Sequence, residues 1–184
     1  LPKVDALVIG GGMANTFLWT RGHAVGASKV EADKKEEASK VLTEASSAGR
    51  NILLPEDVVI AEKIEAGTET RVVPADRIPE GWLALDIGPK SRERFCAEIR
   101  KARTIVWNGP VGVFEVEPFA EGTRAVARAV AESGAVTIVG GGDTVAALEK
   151  EGLKDKITHV STGGGASLEY LEGRVLPGVA ALDR

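Results

Sequence analysis

The sequence predicts an α/β fold, with a three-layer α/β/α domain built around a mostly parallel sheet. Short apolar runs alternate with helix-forming stretches, and continuous apolar strands are typical of a parallel sheet that is covered on both faces. A Gly-Gly-Gly triplet occurs three times, at residues 10–12, 140–142 and 163–165, each time after a mostly β-branched run and before a helix-forming run. The 184 residues are enough for one domain with a substantial core.

The predicted strands are short runs of apolar and β-branched residues. Each one is followed by glycine, proline or a polar residue, which are the residue types that end strands. The predicted strands span residues 6–9, 51–54, 71–73, 83–87, 104–107, 136–139 and 158–161.

The predicted helices lie between these strands. The first begins after Gly12, and the second has the clearest signals at its ends. Asp33 and Glu36 have the spacing of a capping box, and Gly49 is a typical helix terminator. The other helices are predicted over residues 91–102 and 119–131 and, as short helices, from near Gly142 and Gly165.

The composition excludes several classes of protein. The chain has 23 Lys and Arg against 27 Asp and Glu, a net charge of −4, so it has no bulk attraction to nucleic acid or to an anionic membrane. No apolar run approaches the roughly 20 residues that span a bilayer. The single cysteine, Cys96, forms no internal disulfide and is interpreted as a core residue. These features predict a cytoplasmic protein of a reducing compartment.

The glycine triplets predict anion sites. Glycine lets the backbone approach a ligand closely, and the free N–H groups and dipole of a helix N-terminus favour phosphate. Three such junctions indicate a polyphosphate ligand, or a nucleotide together with a phosphoryl group in transit. After the second triplet, Thr144 offers a hydroxyl, and Asp143 would be repelled by phosphates unless it held Mg²⁺. The alternative is that Asp143 only caps the helix.

Two further segments carry polar groups at predicted strand ends. Residues 161–165 offer hydroxyl and N–H groups without an acidic residue, which suits a phosphoryl group during transfer. In residues 107–115, Asn108 stands at a strand C-terminus, where ligands of α/β proteins bind, and Glu115 can accept hydrogen bonds from a ribose. The alternatives are a tight turn required by packing for the first segment and an ordinary loop for the second.

Several other catalytic patterns are missing from the sequence. His23 and His159 have no Ser, Cys or metal-ligand partner at a useful spacing and are interpreted as structural. No triplet continues to G-x-G-x-x-G, because the sixth residue is Asn15, Val145 or Leu168. This disfavours one rival function, a Rossmann-type dehydrogenase domain. A nucleotide-binding regulatory module without catalysis stays open as a second rival.

Taken together, these segments resemble the C-terminal, nucleotide-binding domain of the phosphoglycerate kinase family. The resemblance follows the family order along the whole chain, and its most specific strings are residues 107–115 and 161–169. The other matching strings are residues 9–14, 54–57, 85–89, 140–144 and 176–179. The resemblance implies a Rossmann-like domain that forms the ATP/ADP side of a glycolytic kinase.

The resemblance implies reversible transfer of the acyl phosphate of 1,3-bisphosphoglycerate to Mg-ADP, which gives 3-phosphoglycerate and ATP. The acceptor in the reverse direction is an ionised carboxylate, so no general base is needed. Mg²⁺ is the implied cofactor, served by Asp143, and neither nucleic acid nor a membrane is an implied partner. The residues implied to face the migrating phosphoryl group are Gly142, Gly163, Gly164 and Gly165. Those implied to bind the nucleotide are Gly10, Gly11, Gly12, Ala84, Leu85, Asn108, Pro110, Val113, Glu115, Gly141, Gly142, Asp143 and Thr144.

Three residues depart from the family pattern near the implied adenine. Ala84 stands where the family usually has glycine, Lys29 where an apolar residue is usual, and Ile64 where some members have Phe. The resemblance also implies a further strand, a helix and a phosphoglycerate-binding N-terminal domain ahead of this sequence. We therefore expect residues 1–184 to be a nucleotide-binding domain that is inactive as a kinase when isolated.

Overall fold

The computed structural model describes residues 3–161 and 163–181, and its architecture confirms the α/β class. Within these residues there are ten β-strands and seven α-helices, and four of the six strand pairings are parallel. None of the described helices is both long enough and apolar enough to cross a bilayer. The chain divides into two compact units, one formed by Leu1–Ile99 with Pro110–Val126 and the other by Arg100–Gly109 with Ala127–Arg184.

The strands of the first unit form three small sheets. They are β1 (Ala6–Val8), β2 (Ala24–Val25), β3 (Asn51–Leu53), β4 (Asp57–Ala61), β5 (Arg71–Pro74), β6 (Arg77–Ile78) and β7 (Leu83–Ile87). β1 pairs with β3 and β2 with β6, both in parallel, whereas β4 lies between β5 and β7 in an antiparallel sheet. The sequence predicts β1, β3, β5 and β7 but not the central strand β4, because β4 begins with a polar residue directly after a Pro-Glu pair that is typical of a loop.

The helices of the first unit begin differently from what the sequence predicts. They are α1 (Gly11–Thr20), α2 (Lys35–Ser47) and α3 (Pro89–Ile99), followed by α4 (Glu121–Glu132), which continues beyond this unit. The predicted capping box of Asp33 and Glu36 is wrong. Asp33 lies inside a 3₁₀ turn over Ala32–Lys34, and the N-cap of α2 is Lys34, which makes no side-chain capping hydrogen bond.

Helices α3 and α4 are displaced from their predicted ends. α3 starts at Pro89, a residue whose fixed backbone angle suits the first helical position, and it ends at Ile99. α4 starts after Phe119, which belongs to a 3₁₀ turn over Glu117–Phe119. The spacing of apolar residues predicts an inward face on each of these segments, and the structure buries most of it: Phe95, Ile99, Phe119, Thr123, Val126 and Val130, together with Cys96. Ala102, also predicted to face inward, lies beyond the end of α3 and is half-buried.

The second unit is built on a parallel sheet whose strand ends are aligned. Its strands are β8 (Thr104–Asn108), β9 (Val136–Gly140) and β10 (His159–Ser161), in the order β10-β9-β8. Its further helices are α5 (Gly142–Lys150), α6 (Gly164–Glu172) and α7 (Pro177–Ala180). Asn108 is the register partner of Gly140, which is also the partner of Ser161. The last residues of all three strands therefore lie in one row at the carboxyl edge of the sheet.

Asp57 is a buried carboxylate that holds the start of α3. It is 6% exposed and accepts hydrogen bonds from the N–H groups of Lys90 at 3.1 Å and Ser91 at 2.8 Å. The Ser91 hydroxyl lies 2.7 Å from the same carboxylate. A side chain at Gly88 has no room, because its Cβ would lie 2.6 Å from Asp57 Oδ1. Asp57 thus satisfies first-turn donors of α3 that have no partner within the helix.

Asp86 is a second buried carboxylate, only 3% exposed, in the middle of the apolar strand β7. Its oxygens accept hydrogen bonds from the N–H of Ile87 at 2.8 Å and the N–H of Gly122 at 2.7 Å. Burial raises the pKa of Asp86 from 3.8 to about 7, against the opposing effects of these two hydrogen bonds and of Arg92. The desolvation of the charged form therefore outweighs the interactions that favour it.

We predict that Asp86 makes stability fall as pH rises through the acid and neutral range. In the unfolded chain the carboxyl is ionised above its ordinary pKa of 3.8, whereas in the folded chain it keeps its proton up to about 7. The folded state then binds more protons, so the free energy of unfolding decreases with pH by up to about 1.4 kcal/mol per pH unit between these values. Urea unfolding at a series of pH values should show this slope in the unaltered chain and not in Asp86→Asn.

The matched control is Asp155→Asn, which changes an exposed carboxyl in the second unit. It should leave the pH dependence of the unaltered chain in place. Parallel pH profiles for Asp86→Asn and the unaltered chain would show that Asp86 does not carry the titration.

Candidate functional site

The carboxyl edge of the second unit's sheet brings together the residues predicted to bind phosphate. β9 leads through Gly141 into α5, and β10 leads through Gly163 into α6. Asn108 ends β8 in the same row and is exposed. Because the strand ends are in register, two helix N-termini and one amide side chain occupy a single edge of one sheet. Such an edge is where ligands of open α/β sheets bind.

The turn between β9 and α5 requires glycine at one position. Gly141 has a φ of +92°, and an added Cβ would lie 3.3 Å from Asn108 Oδ1. Thr144 does not face solvent, since it is completely buried and its hydroxyl oxygen accepts the N–H of Gly109 at 2.7 Å. The Trp107 indole N–H donates to the Gly109 carbonyl at 2.8 Å. Trp107 and Thr144 therefore fix the backbone next to Asn108, and a phosphate contact by the Thr144 hydroxyl remains a prediction.

Gly142 and Gly165, in the first turns of α5 and α6, have no internal reason to be glycine, whereas Gly163 is the N-cap of α6, where glycine is favoured over alanine. An added Cβ at Gly142 or Gly165 would meet nothing within 4 Å, and at Gly163 it would meet only ordinary contacts, with Ala166 at 3.6 Å. None of the three has a positive φ. Glycine in a helix is less stable than alanine by about 0.5–1 kcal/mol. Neither packing nor backbone conformation explains glycine at residues 142 and 165, and the open space beside them suits the close approach of a ligand.

Asp143 is placed as a metal ligand would be, at the start of α5. The N-cap of α5 is Gly141, so Asp143 lies within the first turn rather than at the capping position, and it is exposed. Among residues 3–161 and 163–181, no group of three or more His, Cys, Asp and Glu side chains is arranged to hold a metal. A single exposed carboxylate fits Mg²⁺, which proteins bind through one or two carboxylates together with substrate phosphates.

In the first unit, the first glycine triplet packs against residues that follow β8. An added Cβ at Gly10 would lie 2.6 Å from Val111 Cγ1. Gly11 has a φ of +59°, and its N–H donates to the Val111 carbonyl at 3.1 Å. Gly12 again faces open space. Gly10 and Gly11 are thus explained by the close approach of the loop that begins at Pro110, whereas Gly12 is not.

The loop of residues 110–115, which we call the nucleotide loop after the role that the resemblance implies for it, is also attached to β7. The Val113 N–H donates to the Leu85 carbonyl at 2.8 Å. Val113 packs at the margin of a cluster that contains Leu85 and the fully buried Phe119. Glu115, at the end of this loop, is exposed. The first unit therefore brings Gly10, Gly11, Pro110, Val113 and Leu85 together around one loop.

The three departures from the family pattern lie in different surroundings. The Ala84 N–H donates to the Ser28 hydroxyl at 2.9 Å. Lys29 is the next residue after Ser28 in the chain, and its side chain is exposed. Ile64 is 51% exposed. Ala84 and Lys29 therefore belong to one neighbourhood through Ser28. The effect of all three residues on a bound base remains a prediction.

Sequence reasoning assigned no role to two residues that hold the nucleotide loop. The Thr123 hydroxyl oxygen accepts the N–H of Val111 at 3.2 Å. Asp86 lies against Gly112, where an added Cβ would be 2.7 Å from its Cγ. The one available signal for Asp86 is a carboxylate in the middle of an apolar strand, since such a group is buried only where it has partners.

Comparison with known proteins identifies the family. A family model described as phosphoglycerate kinase matches residues 1–174. The chain is 63% identical over 185 residues to a phosphoglycerate kinase of Chloroflexus aurantiacus, and 58% identical over 183 residues to one of Herpetosiphon aurantiacus. These alignments cover 99% and 100% of this chain. The chain spans 46% of the length of each of these relatives.

Solved structures agree with the sequence comparison. The chain superposes on phosphoglycerate kinase from Coxiella burnetii with a TM-score of 0.95 at 43% identity, covering 99% of this chain and 47% of that one. For phosphoglycerate kinase from Pyrococcus horikoshii the TM-score is 0.83 at 32% identity, with coverage of 99% and 46%. The chain therefore belongs to the phosphoglycerate kinase family.

Proposed function

We propose that this chain supplies the nucleotide side of phosphoglycerate kinase, a cytoplasmic, glycolytic phosphotransferase. The reaction is the reversible transfer of a phosphoryl group between Mg-ATP and 3-phosphoglycerate, which gives Mg-ADP and 1,3-bisphosphoglycerate. The observation that carries the proposal is the row of glycine-started helices at the carboxyl edge of β8, β9 and β10, with open space in front of Gly142 and Gly165. A polyphosphate fits this edge because both helix N-termini present first-turn N–H groups and positive dipole ends.

In this proposal, different residues of the second unit bind the phosphates of the nucleotide and the phosphoryl group that is transferred. The N–H groups at the start of α5, from Gly141 to Thr144, bind the phosphates of the nucleotide. Gly163, Gly164 and Gly165, at the start of α6, face the phosphoryl group during transfer, when its negative charge is spread over several oxygens. Asn108 donates its amide from the same row of strand ends. Fixed donors aimed at developing charge lower the barrier without having to reorganise during the reaction.

Asp143 is the residue of this chain that would hold Mg²⁺. When bound, the ion would neutralise phosphate charge and orient the nucleotide. Without a cation, the exposed carboxylate would repel the phosphates that α5 attracts. No group of the chain is needed as a general base, because the acceptor in the direction of ATP consumption is a carboxylate that is already ionised at neutral pH.

The residues of the first unit are assigned to the nucleoside. Gly10, Gly11 and Gly12, with Ala84, Leu85, Pro110 and Val113, border the adenosine. Glu115 is exposed at the end of the nucleotide loop, so its carboxylate can accept hydrogen bonds from ribose hydroxyls. This assignment is supported by the contacts of Gly11 with Val111 and of Val113 with Leu85, which hold these residues around one loop.

Replacing Gly142 of α5 by alanine should make the fold more stable and phosphate binding weaker. Gly142→Ala should raise the free energy of unfolding by up to about 1 kcal/mol, because alanine is the better helix former and its Cβ meets nothing. The same methyl group should lower the affinity for inorganic tripolyphosphate about tenfold, since it displaces an anion from charged hydrogen bonds. Thermal unfolding and calorimetric titration measure the two effects.

The control for this experiment is Gly178→Ala in α7, where an added Cβ also meets nothing and φ is not positive. It should leave tripolyphosphate binding unchanged. Unchanged binding in Gly142→Ala as well would remove α5 from the proposed phosphate site.

The role of Asp143 gives a prediction that depends on magnesium. With Mg²⁺ present, Asp143→Asn should weaken ADP binding by about tenfold or more, because a ligand of the ion is lost. With Mg²⁺ removed by a chelator, the same variant should bind ADP more tightly than the unaltered chain, because a negative charge beside the phosphates has gone. Asp155→Asn, another exposed Asp of the second unit, serves as the control. A loss of affinity that is equal with and without Mg²⁺ would contradict a metal role.

The catalytic part of the proposal is tested by an assay of the chain alone. Because the chain spans 46% of its curated relatives and is assigned only the nucleotide side, we expect ADP binding without turnover of 3-phosphoglycerate and Mg-ATP. Phosphoryl transfer needs donor and acceptor aligned on one protein. A coupled assay, with a full-length phosphoglycerate kinase as positive control, measures this. Turnover by the chain alone would refute the division of labour proposed here.

A further inference from the structure

Asp86 is a buried ionisable group that the proposed chemistry does not use. It is 3% exposed, so it cannot touch a bound nucleotide, and its two oxygens accept the N–H groups of Ile87 and Gly122. The second of these bonds connects residues 36 positions apart, from strand β7 to the first turn of α4. A buried carboxylate has an unfavourable desolvation energy that a neutral or apolar side chain would avoid. Its presence at this position therefore needs an explanation.

The surroundings of Asp86 are shaped to its carboxylate. An added Cβ at Gly112 would lie 2.7 Å from Asp86 Cγ and 2.6 Å from the Phe119 carbonyl oxygen. An added Cβ at Gly122 would lie 2.9 Å from Asp86 Cγ. Neither glycine has a positive φ, so backbone conformation does not require glycine there. Gly112 and Gly122 lack side chains because the carboxylate occupies the space between the nucleotide loop and the start of α4.

We propose that Asp86 is a positioning residue for the nucleoside, which fixes the nucleotide loop against β7 and α4 before the nucleotide binds. The inference rests on the proposed function, in which Pro110, Val113 and Glu115 of this loop serve the adenosine. Val113 already donates to the carbonyl of Leu85, the neighbour of Asp86. Asp86 packs directly against Gly112, the residue before Val113, and its bond to the Gly122 N–H joins β7 to the start of α4 beside the loop. A loop that is ordered in advance does not lose further conformational entropy on binding.

The charged groups around Asp86 make this attachment sensitive to protonation. Arg92 on α3 favours the ionised carboxylate and Glu121 at the start of α4 opposes it, and these two side chains form an ion pair at 3.6 Å. With burial as the dominant cause, the pKa of Asp86 lies near 7. The ionised form makes the stronger, charge-assisted bond to the Gly122 N–H. Nucleoside affinity should therefore be higher when Asp86 is ionised.

The test compares a nucleotide with a ligand that has phosphates but no nucleoside. The 184-residue chain and its Asp86→Asn variant are titrated with Mg-ADP and with magnesium tripolyphosphate. We expect Asp86→Asn to weaken Mg-ADP binding about tenfold and to leave tripolyphosphate binding within about twofold. The matched control is Asp57→Asn, which changes another buried carboxylate of the same unit, one that holds α3 and does not contact the nucleotide loop. Asp57→Asn should leave the ratio of the Mg-ADP affinity to the tripolyphosphate affinity unchanged.

Two results would overturn the inference. One is that Asp86→Asn lowers the affinity for Mg-ADP and the affinity for tripolyphosphate equally. The other is that Asp57→Asn changes the ratio of these two affinities as much as Asp86→Asn does. Either result would mean general destabilisation. If the unaltered chain does not bind Mg-ADP, the proposed function itself fails. If it binds Mg-ADP and Asp86→Asn binds equally well, only the positioning role fails.

A measurement on the unaltered chain covers the case in which Asp86→Asn does not fold. The carboxyl carbon of Asp86 is followed by NMR across the neutral pH range, with and without saturating Mg-ADP. Because coupling between two sites is reciprocal, binding that favours the ionised form must lower the pKa of Asp86. The negative charge of Mg-ADP by itself would raise that pKa, so the sign separates positioning from direct electrostatics. A pKa that stays constant or rises would overturn the proposal.

Discussion

Three helices of this protein have glycine at the N-cap, a residue without a side chain that could cap the N–H groups of the first turn. The N-caps of α1, α5 and α6 are Gly10, Gly141 and Gly163, and none makes a side-chain capping hydrogen bond. Glycine at this position is only about a few tenths of a kcal/mol less favourable than Ser, Thr, Asp or Asn, so it lowers the stability of the helix little. A glycine N-cap also leaves space for an anion at the helix start, whereas at α1 the Gly11 N–H already donates to the Val111 carbonyl. The glycine-rich sequence between strand and helix follows from the use of glycine N-caps at α1, α5 and α6.

The glycines at these junctions separate into two groups by their surroundings. Gly10, Gly11 and Gly141 are required within the protein, by close contact with Val111 or by a positive φ. Gly12, Gly142 and Gly165 face open space and have no such requirement. The sequence cannot separate the two groups, because both appear as the same triplet. Only the structure shows which glycines the fold needs and which are left for a ligand to approach.

Seven of the ten described strands could be predicted from local pattern, but not β2, β4 or β6, and the family could be predicted from the strings around the glycine triplets. All seven predicted strands are present within one or two residues of their expected ends. The strand β4 could not be predicted, because its pairing with β5 and β7 depends on antiparallel neighbours and its first residue, Asp57, is polar. The capping box at Asp33 failed because a 3₁₀ turn moves the helix start onto Lys34. Both the strand β4 and the start of α2 depend on a contact or a turn that the local sequence pattern does not contain.

Asp86 and Asp143 show why the site could be predicted only in part. Asp143 follows a glycine triplet directly, so its position in the sequence already places it at a helix start. Asp86 has its decisive partners far along the chain, at Gly112 and Gly122, and nothing near it in sequence indicates them. The two carboxylates also differ in what surrounds them, since one is exposed and the other is 3% exposed. An exposed carboxylate at a helix N-terminus is suited to a cation and its phosphates, whereas a buried one joined to backbone N–H groups is suited to holding backbone in place. The residues proposed to contact a ligand are therefore indicated by the local sequence, and those that hold the neighbouring backbone are indicated only by the fold.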